Sequence, residues 1–98
     1  MNGIICEAIN KKNLLQFSYD DLTRIVEPYL FGRKTSGNDV LSAYLVGGYT
    51  ESDNEPYWRN YVVEEMEFVI MLDETFTGAR EGFNPNDSSM EVIHCRLQ

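Results

Sequence analysis

The sequence predicts a mainly β fold, in which five short antiparallel strands form a small barrel flanked by an N-terminal and a C-terminal helix. Three observations lead there. Leu15, Phe17 and Tyr19 alternate with Gln16 and Ser18, the period-two pattern of a strand with one buried face, and Asp20-Asp21 supply a turn into residues 23–31. Three more stretches, at 40–46, 57–63 and 66–72, repeat the alternation in residues suited to a pleated surface. Apolar residues at helical spacing occur near both ends, Ile4, Ile5, Ala8 and Ile9 in one case and Met90, Ile93 and Leu97 in the other.

In chain order, the first helix spans residues 2–12, with Lys11 and Lys12 suited to the negative pole of its dipole. The hairpin of residues 14–32 follows and organises the rest. Pro28 in its second arm cannot donate to a ladder, so it marks an edge or a bulge. Turn-forming residues 34–39 reverse the chain into the third strand, whose two faces are both partly apolar, as in a small closed barrel. Residues 50–56 are polar and acidic and read as a mobile surface loop. In the fourth strand Arg59 falls between Tyr57 and Tyr61 on one face, and Glu64-Glu65 interrupt the alternation before the fifth.

The barrel thus occupies residues 14–72, and 73–87 form an ordered tail pinned by Phe76 and Phe83. Ser88 with Glu91 reads as a capping box opening a helix at 88–97. Short antiparallel strands on so small a chain must hide their edges, which an SH3-like or Sm-like barrel with covering helices achieves. The competing architecture is an open antiparallel sheet with both helices on one face.

The 98 residues fit one domain, and 43% hydrophobic with 24% charged residues is the composition of a soluble globular protein. No apolar run approaches the roughly 20 residues of a membrane span. Residues 1–12 lack a secretory pattern, which leads to an expected cytoplasmic location. In that compartment Cys6 and Cys95 are expected as reduced thiols on helix faces. A net charge of −8 repels phosphate backbones at long range and disfavours nucleic acid as a partner, although a few arginines focused in a cleft can still hold an anion.

Arg24 and Arg59 lie inside otherwise apolar and aromatic strands, an expensive position for a charge unless it is paired or faces a cleft. They are the leading candidates for holding a phosphate or carboxylate through paired hydrogen bonds. Tyr29, Tyr44 and Tyr61 would supply hydroxyls or a ring to stack on a base. The bland alternative pairs each arginine with a carboxylate such as Glu27 or Glu64 and packs the tyrosines into the core. Arg33, Lys34 and Arg80 are secondary candidates, the first two on a solvated turn and the third fastening the tail to backbone carbonyls.

Catalysis has little support. His94 adjoins Cys95, but neighbouring helical positions point about 100° apart, unsuited to a nucleophile and its base. Neither a metal-ligand spacing, a glycine-rich phosphate loop nor a serine elbow is present, so no catalytic residue, metal or cofactor is expected.

The combination of Ile9 with residues 14–19, Arg24-Ile25-Val26-Glu27-Pro28-Tyr29-Leu30, Leu41-Ser42-Ala43-Tyr44 and Trp58-Arg59-Asn60-Tyr61 resembles the WYL domain family. The resemblance covers residues 4–76, and residues 76–85 are similar to the tail of short, stand-alone members. The tripeptide that names the family aligns with Asp39-Val40-Leu41, which keeps its leucine, and Val62 and Glu65 stand where members commonly carry basic residues. The resemblance implies a small Sm-like barrel acting as a ligand-sensing or regulatory module. Members are often joined to a DNA-binding helix-turn-helix domain and tied to bacterial transcription control, with a basic groove for nucleotides or single strands.

The expected function is therefore non-enzymatic recognition of a small anion such as a nucleotide. The alternative is a protein-interaction module, in which an acidic surface around Glu51, Asp53 and Glu55 docks a basic regulatory partner or an exposed strand pairs with another copy.

Overall fold

The computed structural model describes residues 2–48 and 57–98. The loop at 50–56, with Glu51, Asp53 and Glu55, lies outside the described residues. Helix α1 (Asn2–Lys11) is followed by strands β1 (Asn13–Tyr19), β2 (Leu22–Lys34), β3 (Asp39–Gly48) and β4 (Trp58–Val62), a 3-10 turn (Val63–Glu65), β5 (Glu67–Thr75) and β6 (Met90–Arg96).

Helix α1 buries Ile5, Ala8 and Ile9 completely and turns Lys11 outward to an ion pair with Glu7 at 2.8 Å. Lys12, at φ +58°, takes the left-handed conformation that stops the helix and starts β1. Asp20 and Asp21 have φ of +53° and +63°, as a two-residue hairpin turn of mirror-image type requires, and Tyr19 and Leu22 close the ladder beside them. The hairpin is therefore as the sequence suggested.

Every strand pairing is antiparallel, in the order β4-β3-β2-β1-β5, with β6 added beside β2. The 13-residue β2 makes this possible by changing partners along its length. Its pairing with β1 ends at Val26, that with β6 begins at Leu30, and its register against β3 shifts between Pro28 and Leu30. Pro28 thus sits at a break in the ladder, where its missing N–H is not needed. Gly32 is required at the β2–β6 crossing, because a side chain there would overlap the Val92 carbonyl.

The sheet curls but stays unclosed. Tyr61 of β4 packs against Phe17 and Tyr19 of β1 with ring centroids 4.9 and 5.0 Å apart, and the Val62 N–H donates to the Tyr19 hydroxyl at 3.0 Å. Side chains bring these strands together; among the described residues no ladder joins them. The main core is built from Leu15, Phe17, Val26, Leu41, Ala43, Leu45 and Tyr61 with the apolar stripe of α1, and it is continuous with Tyr29 and Phe76 beneath the tail.

The segment after β5 crosses the convex side. Phe76 is buried, and Phe76 and Phe83 bring their rings within 5.3 and 5.1 Å of Tyr29. Phe83 also stacks on Trp58, whose indole N–H donates to the Glu81 carbonyl at 3.0 Å. A second, small apolar cluster of Leu30, Val40 and Met90 lies beneath it.

Two expectations are corrected. The C-terminal segment is strand β6, not a helix, and Ser88 makes no cap. Instead Asp87 accepts from the Ser89 N–H and hydroxyl and turns the chain into the strand. The exposed edge of β2 beyond Leu30 offers a ladder, and Val92 and Ile93 are β-branched, so tertiary pairing overrides the helical spacing. Cys95 then faces α1 and forms a disulfide with Cys6 across a Cα–Cα distance of 5.7 Å, so the two thiols are joined, not free.

One residue opposes its local preference. Phe68, at φ +54°, occupies a left-handed position inside β5 where the register against β1 shifts, and it is 83% exposed. A bulky side chain there costs about 1–2 kcal/mol and regains nothing by burial. Phe68→Gly should leave stability unchanged or raise it by up to about 1 kcal/mol in urea titration, unlike most exposed strand positions, where glycine weakens the strand.

Candidate functional site

The five leading site residues divide into two groups on opposite faces of the sheet. Arg24 lies opposite Phe17 in the β1–β2 ladder and Arg59 opposite Ala43 in the β3–β4 ladder, two residues before Tyr61. This register places Arg24, Arg59 and Tyr61 on the concave face. Glu27 lies opposite Tyr44, and Tyr44 opposite Trp58, so Tyr29 and Tyr44 belong to the convex face beneath the tail.

On the concave face, Arg24 is only 7% exposed, donates from Nη2 to the Tyr19 carbonyl at 3.1 Å and holds its guanidinium 5.7 Å from the Tyr19 ring centroid. No carboxylate pairs with it among the described residues. Among the described residues its Nε and the hydroxyl of Tyr61 are buried and make no hydrogen bond of good geometry, although the Arg24 guanidinium comes close enough to that hydroxyl to act on it as a weak donor. Burial pushes the Tyr61 phenol up from its ordinary pKa, while the nearby positive charges of Arg24 and Arg59 act in the opposite sense. Arg59 is partly exposed and donates from Nη1 to the Trp58 carbonyl at 3.2 Å. Both cations thus lie near enough to the Tyr61 hydroxyl to act on it, while Arg59 also borders a shallow cleft with Trp58, Asn60, Gly82, Asn84 and Asp87.

The convex face is occupied differently. Glu27 receives Arg80 through two hydrogen bonds, Nε to Oε1 at 2.7 Å and Nη2 to Oε2 at 3.1 Å. The Tyr29 hydroxyl lies 2.8 Å from both Glu27 Oε1 and the Gly78 carbonyl, two acceptors for its one proton. Burial, followed by the hydrogen bond to Glu27, raises the Tyr29 phenol well above its ordinary pKa. The Arg80 guanidinium covers the Tyr44 ring at 4.1 Å. Tyr29 is fully buried in this arrangement and Tyr44 is partly covered. Arg80 holds the tail through a carboxylate and an aromatic face, where the sequence led to an expectation of backbone carbonyls.

This network was hidden in the sequence, where Glu27 is one acid among sixteen. Its signal was position, a carboxylate between Val26 and Pro28-Tyr29 in an apolar strand. Of the remaining secondary candidates, Arg33 faces Asp39 across the β2–β3 ladder at 3.8 Å, and Lys34 reaches Asp87 at 3.8 Å and the Ser89 hydroxyl. Neither joins Arg24 and Arg59.

An open groove of about 480 Å³ runs beside the convex network, bordered by Tyr44, Val46, Gly47, Gly48, Tyr57 and Arg80. Among the described residues no three His, Cys, Asp or Glu side chains converge as a metal would require. Compared with family models, curated proteins and solved structures, the chain matches none.

Proposed function

We propose that this chain is a non-enzymatic, WYL-like recognition module built on a partly open SH3-like or Sm-like barrel, and that it holds a small anion such as a nucleotide between Arg24 and Arg59. The observation that carries the reading is the buried guanidinium of Arg24, which has no carboxylate partner among the described residues and whose Nε meets no acceptor there in good geometry. Burying an uncompensated charge costs several kcal/mol, and a structural arginine ordinarily recovers that through an acid. The obvious acid, Glu27, is committed to Arg80. A phosphate would complete the arrangement, with two planar donors and a phenol converging on its oxygens.

Tyr29 and Tyr44 drop out of the ligand set and become supports of the tail. Cytoplasm remains the proposed compartment, with a condition set by the disulfide, because cytosolic thiols are ordinarily kept reduced.

The test pairs binding with stability. Pyrophosphate, mono- and dinucleotides and cyclic nucleotides are screened by thermal shift, and hits are titrated by calorimetry. Arg24→Met should abolish binding while leaving the free protein as stable or more so, since an unpaired buried charge is replaced by an apolar chain. Loss of about 3 kcal/mol or more of stability in Arg24→Met would identify Arg24 as a structural residue and overturn the reading.

A further inference from the structure

We propose that the outer edge of β5 receives a basic extended segment of another protein, which adds to the sheet as a further strand. Strand β5 ends the strand order, and among the described residues nothing pairs with its second edge. It also carries the two most exposed large apolar side chains among the described residues, Phe68 at 83% and Ile70 at 46% exposure. Edge strands are usually protected by charges or by bulges that turn them away, and β5 has both a bulge at Phe68 and acids at Glu67, Asp73 and Glu74. Protection alone accounts poorly for the bulge residue. Glycine would fill a left-handed position without strain, whereas this one holds an aromatic side chain out in water.

The charges select the occupant. Neither β5 nor its neighbour β1 contains a lysine or arginine, so the charges on these two strands are all carboxylates. A second copy fits badly, because two-fold antiparallel pairing centred on Ile70 sets Glu67 opposite Asp73, and each chain carries a net charge of −8. A strand alternating arginine or lysine with valine or isoleucine matches instead. Its backbone completes the ladder, its apolar residues meet Phe68 and Ile70, and its cations meet the three acids. Association should be fast and should weaken with salt.

The experiment uses the full chain, isotope-labelled, titrated with a synthetic decapeptide alternating Arg or Lys with Val. Two comparison peptides carry Glu in place of the basic residues or N-methyl groups on alternate backbone nitrogens. Shifts confined to the amides of Glu67–Thr75, with affinity about ten-fold or more weaker for both comparison peptides, support the proposal. The same loss in Ile70→Lys, or in Phe68→Ser should the first variant fail to fold, ties binding to this edge. Equal affinity for the N-methylated peptide, shifts elsewhere or no binding would overturn it. So would sedimentation showing the chain paired with itself through β5, abolished by Phe68→Ser.

Discussion

Reduction of the Cys6–Cys95 bridge is expected to lower the free energy of unfolding by roughly 2–5 kcal/mol, a large share of what so small a domain has. The two cysteines are 89 residues apart, so the cross-link restrains almost the whole unfolded chain. Loop-closure entropy for such a span is about 4–5 kcal/mol. In the folded state the bond joins α1 to β6, the two elements that complete the fold from its ends. Strand β6 pairs only along the second half of β2, so losing the bridge should expose it first. Urea titration with and without reductant reads the total, and hydrogen exchange at Met90–Arg96 reads the order of events. Midpoints that agree within error, with both thiols verified as reduced, would show that the bridge contributes nothing.

The second large effect belongs to Glu27. Its side chain is 9% exposed and accepts from Arg80 and Tyr29, so Glu27→Ala leaves the guanidinium without its carboxylate and the phenol with the Gly78 carbonyl as its acceptor. Breaking a fully buried pair costs about 3–5 kcal/mol, and since the Arg80 side chain is 45% exposed the expected loss here is nearer 2–3 kcal/mol. A double-mutant cycle with Arg80→Leu isolates the pair. Additive effects, with no coupling, would show that Arg80 merely rests on the surface. Alkaline pH tests the same region. The Tyr29 phenol is raised above its unfolded value, chiefly by burial, and Tyr61 is raised for the same leading reason. Their contributions are complete below about pH 10 and decline above it, as unfolded tyrosines ionise and the folded ones resist. Tyr29→Phe should flatten that decline.

Strand identity was legible in the sequence because period-two alternation survives wherever one face is buried. Leu15, Phe17 and Tyr19 show it plainly, and the Asp20-Asp21 turn fixes the register. Which face a residue joins was less legible in β2 and β3, where both faces are covered. Tyr29 and Tyr44 therefore looked like companions of Arg24 and Arg59, although the ladder register sets them on the other side under the tail. Met90, Ile93 and Leu97 fit a helical stripe equally well, and only the exposed edge of β2 decides for a strand. The disulfide was illegible for a related reason. Cys95 meets α1 only once the C-terminal segment is a strand. Arg24 and Arg59 stand out in the sequence on cost alone, since a cation in an apolar strand needs an explanation wherever it points.

The Nε–Hε proton of Arg24 can be watched directly by nuclear magnetic resonance of arginine-labelled protein during titration with pyrophosphate. Among the described residues this N–H meets no acceptor. Saturable movement of the Arg24 and Arg59 side-chain signals together, with slowed exchange of the Arg24 Hε, is the result predicted for a bound phosphate. Movement of Arg33 and Arg80 alone, with Arg24 unchanged at saturation, would contradict it.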